Sequence, residues 1–197
     1  MLGQVSEPPR DFSKNSPEVE AAFQAVPEEC VAEILDGELF VGPRPRVRHA
    51  RAASRLGGDL VAFDREGSGG PGGWIILDEP ELHLGPRPDK VVPDLGGWRR
   101  ESMPELPDTA AIELAADWVC EVISEGTEVV DRTKKRRIYA REGVGHLWLI
   151  SPERRMLEVF RLDAGRWVLV DTFEGEAPVR AEPFDAIELA LGRLWER

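Results

Sequence analysis

Apolar residues recur along this chain in two rhythms, and the places where the rhythm changes mark its elements. Ser16-Pro17-Glu18 has the form of a helix start: a capping residue, a proline at the first helical position and an acid in the first turn. It predicts a short helix to about Val26, stopped by Pro27. Val31 to Leu35 and Glu38 to Val41 flank Asp36-Gly37, a pair suited to a two-residue hairpin because both central residues must take positive φ. Over residues 47–64, Ala52, Ala53, Leu56, Leu60 and Phe63 fall at helical spacing, interrupted only by Gly57-Gly58. The glycine-rich stretch from Gly67 to Gly73 does not follow a strand and has no P-loop lysine, so it reads as a connection rather than a phosphate cradle.

Short apolar runs then alternate with turns. Trp74 to Leu77, Glu81 to Leu84 and Lys90 to Leu95 read as strands, the last carrying Asp94 near its end. Residues 96–116, with Gly96-Gly97, Pro104 and Pro107, read as a long loop of the kind that often serves as a lid. Trp118 to Ile123 is apolar on both faces except for Glu121, which marks it as the central strand. A helix is predicted from about Val130 to Glu142, closed by Gly143, with Asp131 as its N-cap. His146 to Ile150 forms another strand, and Met156–Leu162 and Trp167–Phe173 form a hairpin around Asp163-Ala164-Gly165. From Pro183 onward the periodicity is mixed and fits neither element. The order predicts an α/β (α+β) fold, a mixed sheet flanked by helices with an N-terminal β-hairpin. Residues 1–27 are a polar tail and short helix, and residues 28–197 one domain.

Composition narrows the setting. The chain is 42% hydrophobic and 31% charged, as in a soluble globular protein. It has no apolar run near membrane-spanning length and no basic-then-apolar start, so no membrane role and a cytoplasmic location are expected. Its two cysteines, Cys30 and Cys120, have no metal-motif spacing and read as buried thiols. The net charge of −12 argues against tight nonspecific DNA binding while leaving room for a local basic groove. Lys134 to Arg137 are a candidate wall for one, or a solvated helix face.

A carboxylate buried in a central strand needs a cation, a proton or a metal, because leaving it unpaired costs several kcal/mol, roughly 2–7 even for an uncharged polar group. Asp94 at a strand end and Glu121 in a neighbouring strand can share one sheet edge and hold Mg²⁺ with water and substrate phosphate. A lysine on the following helix would offset developing charge. Asp131, Lys135 and Tyr139 lie at i, i+4 and i+8, although Lys134 shares a stripe with Ile138, so spacing does not separate the two lysines. Glu38, Glu81, His49 and Ser124 are further candidates, each with a plain alternative as an exposed or turn residue. His83 and His146 read as core or edge histidines, and the tryptophans mainly as core.

Several ordered motifs together resemble the Uma-two family of restriction-endonuclease-like proteins, within the PD-(D/E)XK nuclease superfamily. They are Glu33-Ile34-Leu35-Asp36-Gly37-Glu38, Pro93-Asp94, Glu121-Val122-Ile123-Ser124, Asp131 with Lys135 and Tyr139, and Trp148-Leu149-Ile150-Ser151-Pro152. The resemblance covers roughly residues 28–175. It implies a restriction-endonuclease-like core and Mg²⁺- or Mn²⁺-dependent hydrolysis of phosphodiester bonds in DNA, or in RNA. Asp94 would be the first metal-binding acid, Glu121 the second and Lys135 the catalytic lysine. The superfamily's usual lysine position is occupied by Ile123, and Ser124-Glu125-Gly126-Thr127 departs from the Ser-Pro-Ser-Thr of relatives. A homodimer would suit double-strand cleavage. The alternative is a nuclease-fold binding or regulatory module that does not cut.

Overall fold

Asp36 and Gly37 both take positive φ, 54° and 79°, and turn β1 (Cys30–Leu35) back into β2 (Glu38–Pro43) in the register Leu35↔Glu38. The predicted hairpin is therefore present, because these two residues tolerate the left-handed conformation such a turn requires. In this computed structural model, residues 15–64 and 70–196 are described; the expected N-terminal tail before Asn15 and residues 65–69 of the glycine-rich connection lie outside them. Helix α1 (Pro17–Gln24) starts where predicted, with Ser16 Oγ accepting from the Val19 N–H at 3.3 Å. Helix α2 (Val47–Asp64) buries Ala52, Ala53, Leu56, Leu60 and Phe63, the stripe its periodicity predicts.

Next come β3 (Trp74–Asp78), β4 (Leu82–Leu84), β5 (Asp89–Val91), β6 (Leu95–Arg99) and β7 (Trp118–Val122). A helical segment follows: α3 (Glu128–Val130), a wider π-helical turn (Asp131–Lys135) and α4 (Arg136–Arg141), which ends before Gly143 as expected. The chain continues through β8 (His146–Ser151), β9 (Met156–Asp163), β10 (Arg166–Glu174), β11 (Pro178–Val179) and β12 (Leu189–Ala190). A short 3₁₀ turn, Leu191–Leu194, follows β12.

Two sheets organise the chain. A four-stranded sheet runs β2-β1-β5-β4, and a six-stranded sheet runs β10-β9-β8-β7-β6-β3. In the larger sheet only β7 and β8 are parallel, so it is mixed. Its central strand β7 is buried along its whole length and serves two cores. Trp118, Cys120 and Val122 pack with α2, Trp148 and Phe184, whereas Val119 and Ile123 pack with Ile138, Tyr139 and the smaller sheet's Leu35 and Val91. Phe184 meets Trp118 and Trp148 edge-on at centroid distances of 4.9 and 5.6 Å, so these tryptophans are core, as expected. Cys120 is fully buried, but Cys30 is only half-buried; both are free thiols. No helix of the described residues is long and apolar enough to cross a membrane.

Two expectations need correction. The strand expected at Lys90–Leu95 is broken: β5 ends at Val91 in the small sheet, and β6 begins at Leu95 in the large one. Asp94 thus precedes a strand rather than ending one. Gly96-Gly97 lie inside β6, not in a loop, because the strand runs beneath large rings. A Cβ at Gly97 would meet Trp118 Cε3 at 3.0 Å and Trp74 Cε3 at 3.4 Å. The irregular stretch after β6 is no free lid either. Ile112 donates its N–H to Glu81 O and accepts from His83 N–H, both at 2.9 Å, and Met103, Ile112 and Ala116 are buried. Gly97→Ala is expected to destabilise the fold by about 1–3 kcal/mol through overpacking, read as a lower urea midpoint with an unchanged slope.

Candidate active site

Antiparallel register brings the two predicted acids together. Leu95 pairs with Cys120 and Gly96 with Val119, so one step further Asp94 stands opposite Glu121. Residues directly opposite in an antiparallel pair share a face. Asp94 Oδ2 accepts the Val122 N–H at 2.6 Å, and its Oδ1 lies 2.5 Å from His49 Nε2 at the start of α2. Each oxygen of Asp94 is therefore held by a different element.

Glu121 is only 2% exposed, Lys135 3% and Asp131 5%. Lys135 Nζ sits 2.8 Å from Glu121 Oε1, 3.1 Å from Glu33 Oε1 and 3.8 Å from Asp131 Oδ1, and also donates to Val92 O at 3.1 Å. Tyr139 donates its hydroxyl to Glu121 Oε1 at 2.6 Å. Burial pushes the Glu121 carboxyl well above the usual range; Lys135 opposes this, and Asp131, Asp94 and Glu33 add to it. Burial alone would lower the Lys135 ammonium, but Glu121 and Glu33 more than reverse that and hold it charged. Burial likewise raises Asp131 against the pull of Lys135. One ammonium thus serves three carboxylates at once.

The helix reaches this arrangement through its wider turn. An α-helix advances about 100° per residue, so eight residues overshoot two turns by about 80°. The π-helical turn at Asp131–Lys135 takes up that overshoot, and Asp131, Lys135 and Tyr139 are all buried. Lys134, which spacing could not distinguish from Lys135, instead pairs with Glu38 at 2.5 Å and lies over the Phe40 ring. Asp131 is not the expected N-cap: the helix starts earlier, at Glu128, and Asp131 lies inside it.

These groups line a groove of about 810 Å³ between α2, the start of β6, the end of β7 and the π turn. Of the further candidates, His49 and Ser124 line it, and Ser124 Oγ lies 3.1 Å from Thr127 Oγ1. Glu38 and Glu81 do not line it. Glu38 is exposed and tied to Lys134, and Glu81 pairs with His83 at 2.6 Å. Neither alternative for the Lys134-to-Arg137 run holds in full. Only Lys135 reaches the groove, while Arg136 stacks 4.4 Å over Phe160. Two groove features escaped the sequence reading. Glu33, which the sequence offers only as part of the family motif and without a role, accepts the Val92 N–H at 2.8 Å and reaches Lys135. Arg44, Arg46 and Arg48 also line the groove, the first two in the proline-interrupted connection ahead of α2 and the third in its first turn, where no apolar pattern draws attention to them.

The model of the Uma2 family, described as putative restriction endonuclease, matches residues 20–192. The chain belongs to the Uma2 family. Among solved structures it is similar to a putative nuclease belonging to DUF820 from Anabaena variabilis ATCC 29413. The TM-score is 0.71 at 18% identity, covering 90% of this chain and 96% of the other. At that identity the likeness speaks for the fold, and it agrees with the mixed sheet described above. No curated protein matches the chain.

In this Uma2 chain, Lys135→Met would leave Glu33, Glu121 and Asp131 buried without their shared cation. Removing one partner of a buried ionic cluster costs about 3–5 kcal/mol, and a loss of that size is expected in chemical denaturation. Adding Glu33→Gln to Lys135→Met should recover part of it.

Proposed function

We propose that this protein is a metal-dependent nuclease that hydrolyses phosphodiester bonds in DNA, with Asp94 and Glu121 holding Mg²⁺ or Mn²⁺ and Lys135 acting beside them. What carries this reading is the convergence of those three side chains, scattered along the sequence, on one groove.

The donor set fits a hard divalent cation. Glu33, Glu121 and Asp131 gather around one ammonium, Lys135, and Asp94 lies beside the His49 imidazole; over the whole groove lining seven acids still outnumber three arginines, one lysine and one histidine. Among the described residues no three His, Cys, Asp or Glu side chains form a metal cage. Mg²⁺ does not require one, since it takes one or two carboxylates together with waters and substrate phosphate. When bound, such a cation supplies Lewis-acid activation of water and offsets charge on the phosphoryl group under attack.

The remaining work falls to the chain. The Val122 N–H and His49 fix the orientation of Asp94, and Lys135 with Tyr139 fixes Glu121. Preorganised groups of this kind need little rearrangement when charge develops. Lys135 lies where it can balance negative charge as the water oxygen joins phosphorus and the ester oxygen departs. Its usual superfamily position, Ile123, is buried in the apolar core beneath the helix, so the ammonium comes from the helix instead. A symmetric dimer would supply two such grooves for the two strands of a duplex.

The alternative, a module that binds without cutting, draws on one observation: Glu121 is already fully engaged by Lys135 and Tyr139. Calorimetry separates the two, since no Mg²⁺ or Mn²⁺ binding at millimolar concentration would favour the non-cutting module. On the leading reading, purified protein nicks or cuts DNA with Mg²⁺ or Mn²⁺ and not with EDTA. Asp94→Asn should lower the rate by about 10²-fold or more and weaken Mn²⁺ binding. Cleavage that survives in EDTA or in Asp94→Asn sinks the assignment.

A further inference from the structure

The connection from β2 into α2 reads Pro43-Arg44-Pro45-Arg46-Val47-Arg48, with an arginine at every second position. All three arginines are exposed and line the rim of the groove that holds Asp94 and Glu121. In a chain of net charge −12, this concentrates positive charge beside the candidate metal-binding acids. Pro43 and Pro45 fix φ and remove backbone donors, so the segment presents side chains rather than a hydrogen-bonding edge. Arg44 and Arg46 lie in the connection itself and Arg48 in the first turn of α2, so three guanidinium groups leave a span of five residues.

The groove lining also carries Glu125 and Glu153. Arg48 Nη1 reaches Glu153 Oε1 at 3.1 Å, with the two side chains 58% and 67% exposed. Arg44 is held more loosely, with Nη1 3.4 Å from Glu79 Oε2 and Nη2 donating to Glu28 O at 3.1 Å. The Arg46 side chain has no ion-pair partner among the described residues. Solvent-exposed pairs such as Arg48–Glu153 hold weakly and exchange readily, and a phosphate offers a guanidinium two well-placed oxygens in place of a carboxylate.

We propose that Arg44, Arg46 and Arg48 form a strap that grips the phosphates of one nucleic acid strand alongside Asp94 and Glu121, with Glu153 competing for Arg48. The three exposed arginines come from one short stretch of chain, so the grip is on a single strand and reads its backbone rather than its bases. The identity of the polyanion rests on the nuclease reading; the strap itself rests on the arginines and their acidic partners.

The test uses the full chain in EDTA, where no cleavage intervenes, and follows fluorescence anisotropy of labelled single-stranded and duplex oligonucleotides across a salt series. Replacing all three arginines by alanine should lower the salt slope for the single strand by about two units, given roughly 0.7 per phosphate contact. Glu153→Gln should tighten binding several-fold, and that gain should vanish when Arg48→Ala is also present. All four residues are exposed, and unchanged thermal melts would exclude unfolding. An unchanged slope in the triple variant overturns the strap, as does equal binding to poly-glutamate of matched length. A Glu153→Gln gain that persists without Arg48 overturns the competition. Metal-dependent cutting by the unsubstituted chain is scored separately. A cutting enzyme with an intact slope in the triple variant leaves the nuclease reading standing alone, and a non-cutting chain with the expected slopes leaves the strap standing alone.

Discussion

One buried ammonium holds this molecule's functional half together. Lys135 reaches Glu33 on the small sheet, Glu121 on the central strand of the large sheet, Asp131 on its own helical segment and the Val92 carbonyl between β5 and β6. Four separate pieces of backbone meet through one nitrogen. Such a cluster is a weak source of net stability, because desolvation offsets most of the Coulomb attraction. It is a strong source of specificity, since any other docking of sheet and helix would strand a charge away from water. Arg141 makes a second, more solvated tie, from the end of α4 to exposed Asp36 at 2.9 Å and to buried Asp89.

The acids gain from this constraint. A buried carboxylate stays ionisable only if something offsets burial, which works against ionisation. Here burial raises Glu121 while Lys135 opposes the rise, and Tyr139 fixes one of its oxygens without adding charge. Asp94 is treated differently: a backbone N–H and an imidazole hold it where the β5–β6 connection crosses between the sheets. Two carboxylates with unlike surroundings, opposite each other in register, are what a site with divided roles requires.

Much of this was legible in the sequence, and the misses have definite causes. The Asp36-Gly37 hairpin, the α2 stripe and the apolar β7 could be read because each depends on local geometry or on burial of a whole face. Asp94, Glu121 and Lys135 could be named, but only family resemblance separated Lys135 from Lys134; the structure separates them through a turn of unusual width. Strand β6 was missed because Gly96-Gly97 normally mark loops, whereas here the missing side chains make room for Trp74, Trp98 and Trp118. At Gly97 that need comes from Trp74 and Trp118 in other strands and leaves no local trace. Glu33 was overlooked for a similar reason: its partners come from β5–β6 and the helix, and nothing beside it in β1 announces them.

The turn at Asp131–Lys135 also bears on how this stretch can diverge among descendants of the chain. A π turn holds one residue more than an α turn, so losing one residue there is absorbed by a return to α geometry that keeps Tyr139 on the side of Glu121, whereas losing one between Lys135 and Tyr139 would swing the tyrosine away by about 100°. Substitutions that preserve the polar character of the inward positions leave the phase of the helix intact. Inherited variation should therefore tolerate the loss of a residue in this turn better than the loss of one further along α4.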